Sequence, residues 1–235
     1  MWPWSARPDD DEVTDAPAAA AVDVTKRYGR GPAAVTALDG VTVEFASGGY
    51  TAVMGPSGSG KSTLLHCLAG LDTVDSGTVY LGGTDLGGLP ERELTRLRRD
   101  RVGFVFQSFN LVPVLTAREN LLLPCRLAGR RPDRAWLAQV IDAAGLGQRL
   151  GHRPAELSGG QQQRLAVARA LVGRPAVIFA DEPTGNLDSG TSAGLLAFLR
   201  RAVDEFGQTV VMVTHDPVAA GYADRVIQMV DGTVS

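Results

Sequence analysis

Eight residues constrain this chain more than any others: Gly55-Pro56-Ser57-Gly58-Ser59-Gly60-Lys61-Ser62. The β-branched run 50–54 before them reads as a strand, and 61–69 after them as a helix stopped at Gly70. Glycines at this turn let backbone N–H groups close around an anion where a Cβ would clash. The helix that follows aims its positive end and its free amides at the same point. The pattern G-x-x-x-x-G-K-[ST] wraps the phosphates of a nucleotide: Lys61 reaches the β- and γ-phosphates and Ser62 offers its hydroxyl to Mg²⁺. The phosphate-contacting set is Gly55, Ser57, Gly58, Ser59, Gly60, Lys61, Ser62 and Thr63. A Gly-rich turn without a ligand explains the glycines but not their setting. The chain has only two lysines, Lys26 and Lys61, and one of them falls on the required position.

A second strand supports this reading. Residues 176–180 are wholly apolar and end in Asp181-Glu182. At the C-terminal edge of a strand beside a phosphate loop, Asp181 can hold Mg²⁺ and Glu182 can orient or deprotonate an attacking water. Many strands end in solvated carboxylates, so these two acids gain meaning only next to the phosphate loop.

Strands and helices alternate along most of the chain. Residues 22–25, 41–45 and 78–81 read as further strands, 160–172, 192–206 and 217–223 as helices, and 209–214 and 226–230 as strands. Short, fully apolar strands between helices imply a parallel sheet covered on both faces. Residues 89–157 differ. Their charged, helix-favouring stretches 90–101, 116–126 and 134–144, broken by Pro and Gly, predict a mostly helical insertion. Residues 1–18, acidic and rich in Pro and Ala, predict a disordered tail before a single domain over 19–235.

Composition excludes several classes. With 23 basic and 26 acidic residues the net charge is -3, unlike a nucleic-acid binder that works by bulk electrostatics. Cys67 and Cys125 form no disulfide framework, and the three histidines are too scattered to suggest a metal site. No apolar run approaches the roughly 18 residues of a membrane span, and the N-terminus lacks signal-peptide character, so a cytosolic location is expected.

Leu157-Ser158-Gly159-Gly160-Gln161, continued by Gln162-Gln163-Arg164, resembles the signature of the ABC ATPases, and the resemblance spans residues 22–235. It implies an α/β fold: a P-loop NTPase core with a mostly parallel sheet, an N-terminal antiparallel β subdomain and an inserted helical subdomain. ATP and Mg²⁺ are its implied ligands. By the same resemblance Tyr28 stacks on adenine, although a tyrosine packing on its own sheet fits that position too. Gln107 matches the glutamine that touches Mg²⁺ and the attacking water. Its neighbours Phe109, Leu111 and Val112 suit either a groove for a partner's coupling helix or a buried turn. Ser158 can cap a helix whose first amides, at Gly159 and Gly160, form an anion site. Together with Gln161 that site serves the ATP of a second subunit, in a head-to-tail homodimer around two nucleotides. Asp188 resembles part of the loop that communicates across the dimer. His215 matches the histidine at the γ-phosphate.

Phrases such as Gly70-Leu71-Asp72 and Ala180-Asp181-Glu182-Pro183-Thr184-Gly185-Asn186-Leu187-Asp188 look like the lipoprotein-release and macrolide-export subfamily. Its ATPases sit at the cytoplasmic face of the membrane, bound to a separate transmembrane permease, with no direct contact with the transported substrate. Close relatives act as ATPase switches in cell-division or regulatory complexes that transport nothing. DNA-repair and translation-factor ABC ATPases fit less well: this chain has no coiled-coil or zinc insertion and only one cassette.

Overall fold

The computed structural model describes residues 16–235. Its elements in chain order are β1 (Ala19–Tyr28), β2 (Val35–Phe45), β3 (Tyr50–Met54), α1 (Lys61–Leu68), β4 (Ser76–Leu81), β5 (Thr84–Asp85), α2 (Glu91–Arg101) and β6 (Val102–Val105). There follow α3 (Ala117–Leu127), α4 (Arg134–Ala144), α5 (Gly159–Val172), β7 (Val177–Asp181), α6 (Ser189–Phe206), β8 (Thr209–Thr214), α7 (Pro217–Ala220), β9 (Arg225–Val230) and β10 (Thr233–Val234).

Two sheets result. The antiparallel one has the order β2-β1-β4-β5, and the other the order β10-β9-β3-β8-β7-β6. In the second, β9, β3, β8, β7 and β6 run parallel and only β10 pairs antiparallel. The apolar runs that predict doubly covered strands are doubly covered: every residue of β8 is buried. Val210 and Met212 face a helical layer that includes α3, α4, α5 and α6. Val211 and Val213 face the opposite way, onto α1 and the antiparallel sheet.

Local chemistry sets the helix ends. Thr116, Asp133, Ser158 and Asp188 each accept a bond from a first-turn amide, and α4 and α6 stop at Gly145 and Gly207 in left-handed conformation.

Two expectations need correction. Most of the expected tail, residues 1–15, lies outside the described residues, but its end does not stand apart from the domain. Ala18 is buried, donates to the Phe45 carbonyl and accepts from Gly82 N–H. The mostly helical stretch 89–157 also holds a strand, between α2 and α3. Val102-Gly103-Phe104-Val105 is an edge strand of the parallel sheet, with Gly103 allowing close approach of Ala170 and Ile178. Within 89–157 the helices added beyond the sheet strand are α3 and α4.

Candidate nucleotide-binding site

The phosphate loop leaves β3 at Met54 and enters α1 at Lys61. Its glycines answer to close packing. A Cβ on Gly55 would collide with the Met229 carbonyl oxygen, and one on Gly60 (φ 99) with the Ala37 carbonyl oxygen. The β9–β10 turn backs the loop, with Gly232 N–H donating to the Ser59 carbonyl at 3.1 Å. Lys61 is buried; its Nζ donates to the carbonyls of Gly55 (2.9 Å) and Pro56 (2.7 Å).

Ser62 Oγ lies 2.9 Å from Asp181 Oδ1 across 119 residues of sequence. Two hard oxygens side by side at a phosphate loop suit Mg²⁺, which takes few protein ligands and completes its shell with water and phosphate oxygens. Among the described residues no cluster of three or more His, Cys, Asp or Glu competes as a metal site.

Glu182 follows β7 with φ 46, its N–H bonded to the Val213 carbonyl. Its Oε1 meets His215 Nδ1 at 2.9 Å. The hydrogen bond and the charge of Glu182 raise the His215 pKa above its usual value. Gln107 follows β6. Its Nε2 reaches Asn186 Oδ1 at 3.5 Å, and Asn186 Nδ2 donates back to the Gln107 carbonyl at 3.1 Å.

A cleft of about 600 Å³ joins these groups. The phosphate loop lines it with Ser57, Gly58 and the run from Gly60 to Thr63; Gln107, Glu182 and His215 complete the lining with Tyr28, Val35 and Ala37. Asp181 joins through Ser62. The signature stands apart. Ser158 Oγ accepts from Gln161 N–H (3.3 Å) while Gln161 Oε1 accepts from Ser158 N–H (3.0 Å), closing a capping box at the start of α5. Gly159, Gly160 and Asp188 do not line the cleft either. Asp188 caps α6 through Thr191, whose two bonds hold its carboxyl below the usual range.

The sequence reading passed over several supports. Asn186 braces Gln107. Asp72 binds both Lys26 and Tyr28. Arg169 of α5 donates to the carbonyls of Phe109 and Asn110, two consecutive residues with φ 60 and 48. Asn120, fully buried in α3, holds the backbone of Val112 and Leu115. Their contacts follow no spacing pattern, although Asp72 and Asn186 fall in phrases that resemble the family, and the rarity of lysine pointed to Lys26 without giving it a role.

A sequence profile of the family described as ABC transporter matches residues 38–185. The chain is 47% identical over 212 residues to the macrolide export ATP-binding/permease protein MacB of Marinobacter nauticus, covering 89% of this chain and 33% of that protein. It thus spans about a third of the length of such fused relatives. It is 44% identical to MJ0796, an ABC transporter ATP-binding protein of Methanocaldococcus jannaschii, covering 90% of this chain and 93% of the relative. The dimeric structure of the MJ0796 cassette bound to ADP and Pi superposes with a TM-score of 0.83 at 42% identity, over 92% of this chain and 96% of that one. The α/β architecture, its antiparallel N-terminal sheet and its parallel-rich sheet are those of that cassette. With the profile covering over half of the chain and MJ0796 matched almost end to end, the chain belongs to the ABC transporter family, as one of its ATP-binding, ATP-hydrolysing cassettes.

Proposed function

We propose that this cassette closes head-to-tail with a second copy around two ATP molecules and drives a separate transmembrane permease at the cytoplasmic face of the membrane. No helix among the described residues is long and apolar enough to cross a membrane. The fused macrolide-export relatives and the dimeric MJ0796 cassette support export and dimerisation respectively.

One observation carries the assignment of roles. The Ser62–Asp181 contact joins the phosphate loop to the strand-end acids, and the Glu182–His215 pair stands over the same cleft. Lys61 and the loop amides hold the β- and γ-phosphates, and Tyr28 stacks on the base. Ser62, Asp181 and Gln107 would hold Mg²⁺, which when bound neutralises phosphate charge. Glu182 orients the attacking water, or accepts its proton, beyond the γ-phosphate. His215, tied to Glu182 through Nδ1, faces the γ-phosphate with the rest of its ring. The capped amides at Ser158, Gly159 and Gly160, with Gln161, serve the neighbour's nucleotide, and Asp188 lies at the same interface. The corner at Phe109, held by Arg169, offers the permease its groove.

The test is Mg-ATP turnover by Glu182→Gln. Losing one group that acts on the reacting atoms typically lowers the rate about 10²- to 10³-fold. The variant should therefore bind ATP, lose turnover and accumulate as an ATP-bound dimer. Turnover at the unmodified rate would remove Glu182 from this role.

A further inference from the structure

One of the two lysines sits in the phosphate loop; the other, Lys26, has no part in the reading above. It is buried on β1, two residues before Tyr28 and on the same face of the strand. Its Nζ donates to Asp72 Oδ1 at 2.8 Å and to the Thr73 carbonyl at 2.6 Å. The second oxygen of Asp72 accepts the Tyr28 hydroxyl at 2.6 Å. Asp72 Oδ1 also accepts from Thr73 N–H at 2.7 Å, and the Lys26 ammonium lies 5.1 Å from the Tyr28 ring centroid. One carboxylate thus joins a buried ammonium, the loop that follows α1 and the hydroxyl of the cleft's aromatic wall.

The charges agree with this geometry. The hydrogen bond to Asp72 outweighs burial and raises the Lys26 pKa. Burial pushes Asp72 up, but the bonds from Lys26 and Tyr28 hold it below the usual carboxylate range. Burial, then the bond to Asp72, raises the Tyr28 hydroxyl, which stays a donor.

The position of Asp72 matters. Helix α1 begins at Lys61, in the phosphate loop, and Asp72 lies in the turn just past its other end. The Tyr28 ring is 43% exposed at the rim of the cleft. An aromatic side chain that open retains rotamer freedom, and a ligand that orders it gives up part of its affinity. The bond from its hydroxyl removes that freedom before any nucleotide arrives.

We infer that Asp72 and Lys26 are positioning residues for the nucleotide base. They lock the Tyr28 ring at a fixed place relative to α1, so that the surface for the base and the cradle for the phosphates form one rigid frame. The inference rests on the reading of Tyr28 as the base-stacking residue. Pre-ordering one such side chain corresponds to roughly a two- to tenfold gain in ATP affinity. It gives no gain for inorganic tripolyphosphate, which fills the phosphate loop but carries no base.

Calorimetric titration of the whole chain with ATP and with tripolyphosphate, alongside thermal melting of each variant, tests this. Tyr28→Phe keeps the ring and the Lys26–Asp72 pair and removes the bonds of the hydroxyl, to Asp72 and to the Thr63 side chain. It should weaken ATP two- to tenfold, leaving tripolyphosphate affinity and the melting temperature unchanged. Asp72→Asn should weaken ATP at least as much, and adding Tyr28→Phe to it should cost nothing further. If Tyr28→Phe binds ATP normally while Tyr28→Ala binds it poorly, the base does stack on the ring but the tether is idle. If Asp72→Asn weakens ATP and tripolyphosphate equally, the pair is a staple of the fold and the inference falls. Normal ATP binding by Tyr28→Ala would overturn the stacking reading itself.

Discussion

Replacing Asn120 by Ala should destabilise the protein well out of proportion to its size. The side chain is fully buried, and its Oδ1 accepts Val112 N–H at 2.8 Å. Its Nδ2 donates to the carbonyls of Val112 (3.0 Å), Leu115 (3.2 Å) and Thr116 (3.2 Å). These bonds shape the segment between Gln107 and α3. A typical hydrogen bond contributes about 1 kcal/mol net, and a buried donor left without a partner costs about 1–3 kcal/mol. Val112, Leu115 and Thr116 are only half-buried, so water recovers part of what the carbonyls lose. The net cost is then about 3 kcal/mol. At 2–4 °C per kcal/mol for a domain of this size, the melting temperature should fall by roughly 6–12 °C. Asn120→Asp sharpens the test. It keeps the acceptor for Val112 N–H but turns a carboxylate oxygen toward three carbonyls. Burial and these acceptors should raise its pKa in the folded state above the unfolded value. The variant's deficit is then greatest well above that raised value and shrinks as the pH falls through it. Melting followed by circular dichroism between pH 4.5 and 8 reads both variants. A fall of less than 2 °C for Asn120→Ala would show that the segment is held by other contacts.

Other expectations follow from the site. Gly60→Ala places a methyl group against the Ala37 carbonyl and the Met229 side chain at φ 99. Strain and overpacking together amount to about 2–5 kcal/mol, so ATP binding should vanish; binding within threefold of the parent chain would refute the close approach. For His215 in the nucleotide-free protein, the Glu182 contact contributes stability that is fully present below the unfolded pKa of about 6.5 and lost as pH rises through the raised folded value. Its titration followed by nuclear magnetic resonance should move down, toward the unperturbed value, in Glu182→Gln; an unchanged midpoint would break the link between the two residues. Ser158→Ala removes the acceptor of the α5 capping box and should cost about 1 kcal/mol of stability. If the signature serves a neighbour's nucleotide, it should also weaken ATP-induced dimerisation, measured by analytical ultracentrifugation, while binding of ATP to the monomer stays unchanged.

The sequence made the centre of the site legible because chemistry ties its residue types to fixed spacings. Gly55 to Ser62 announces a strand, a turn and a helix at once, and the apolar run into Asp181 announces the strand beside it. Helix limits were readable where a capping residue enforces them, by its side chain at Ser158 or its left-handed backbone at Gly207. What escaped was either short or non-local. Strand β6 has four residues wedged between the arginines of α2 and Gln107, and β5 and β10 have two each, too few for any periodicity to register. Strand β2 begins at Val35, ahead of the expected 41, because Asp39-Gly40 looks like a turn, whereas the sheet absorbs it as an irregularity in β2, where Val41 pairs with Val24 and Leu38 with Lys26. Glu182 and His215 were each named, but nothing in the sequence told that they touch. The bonds of Asp72 to Lys26 and Tyr28 span more than forty residues and follow no pattern, so only the fold reveals them.

The backing of the phosphate loop by the β9–β10 turn bears on the order in which the molecule becomes competent. Met229 and Gly232 press on Gly55, Gly60 and Ser59, yet about 170 residues separate the two groups in sequence. On the ribosome the loop emerges well before its wall, a delay of roughly 10–30 s at common elongation rates. Throughout that interval the most recognisable motif of the protein has only part of its shape. Contacts between such distant segments also form late in folding, since the intervening chain must be closed into a loop before they are rewarded. Nucleotide capture therefore reports a finished cassette fold. A nascent or C-terminally clipped cassette would compete poorly for the cell's ATP, and ATP in turn favours the state in which the last strands have docked.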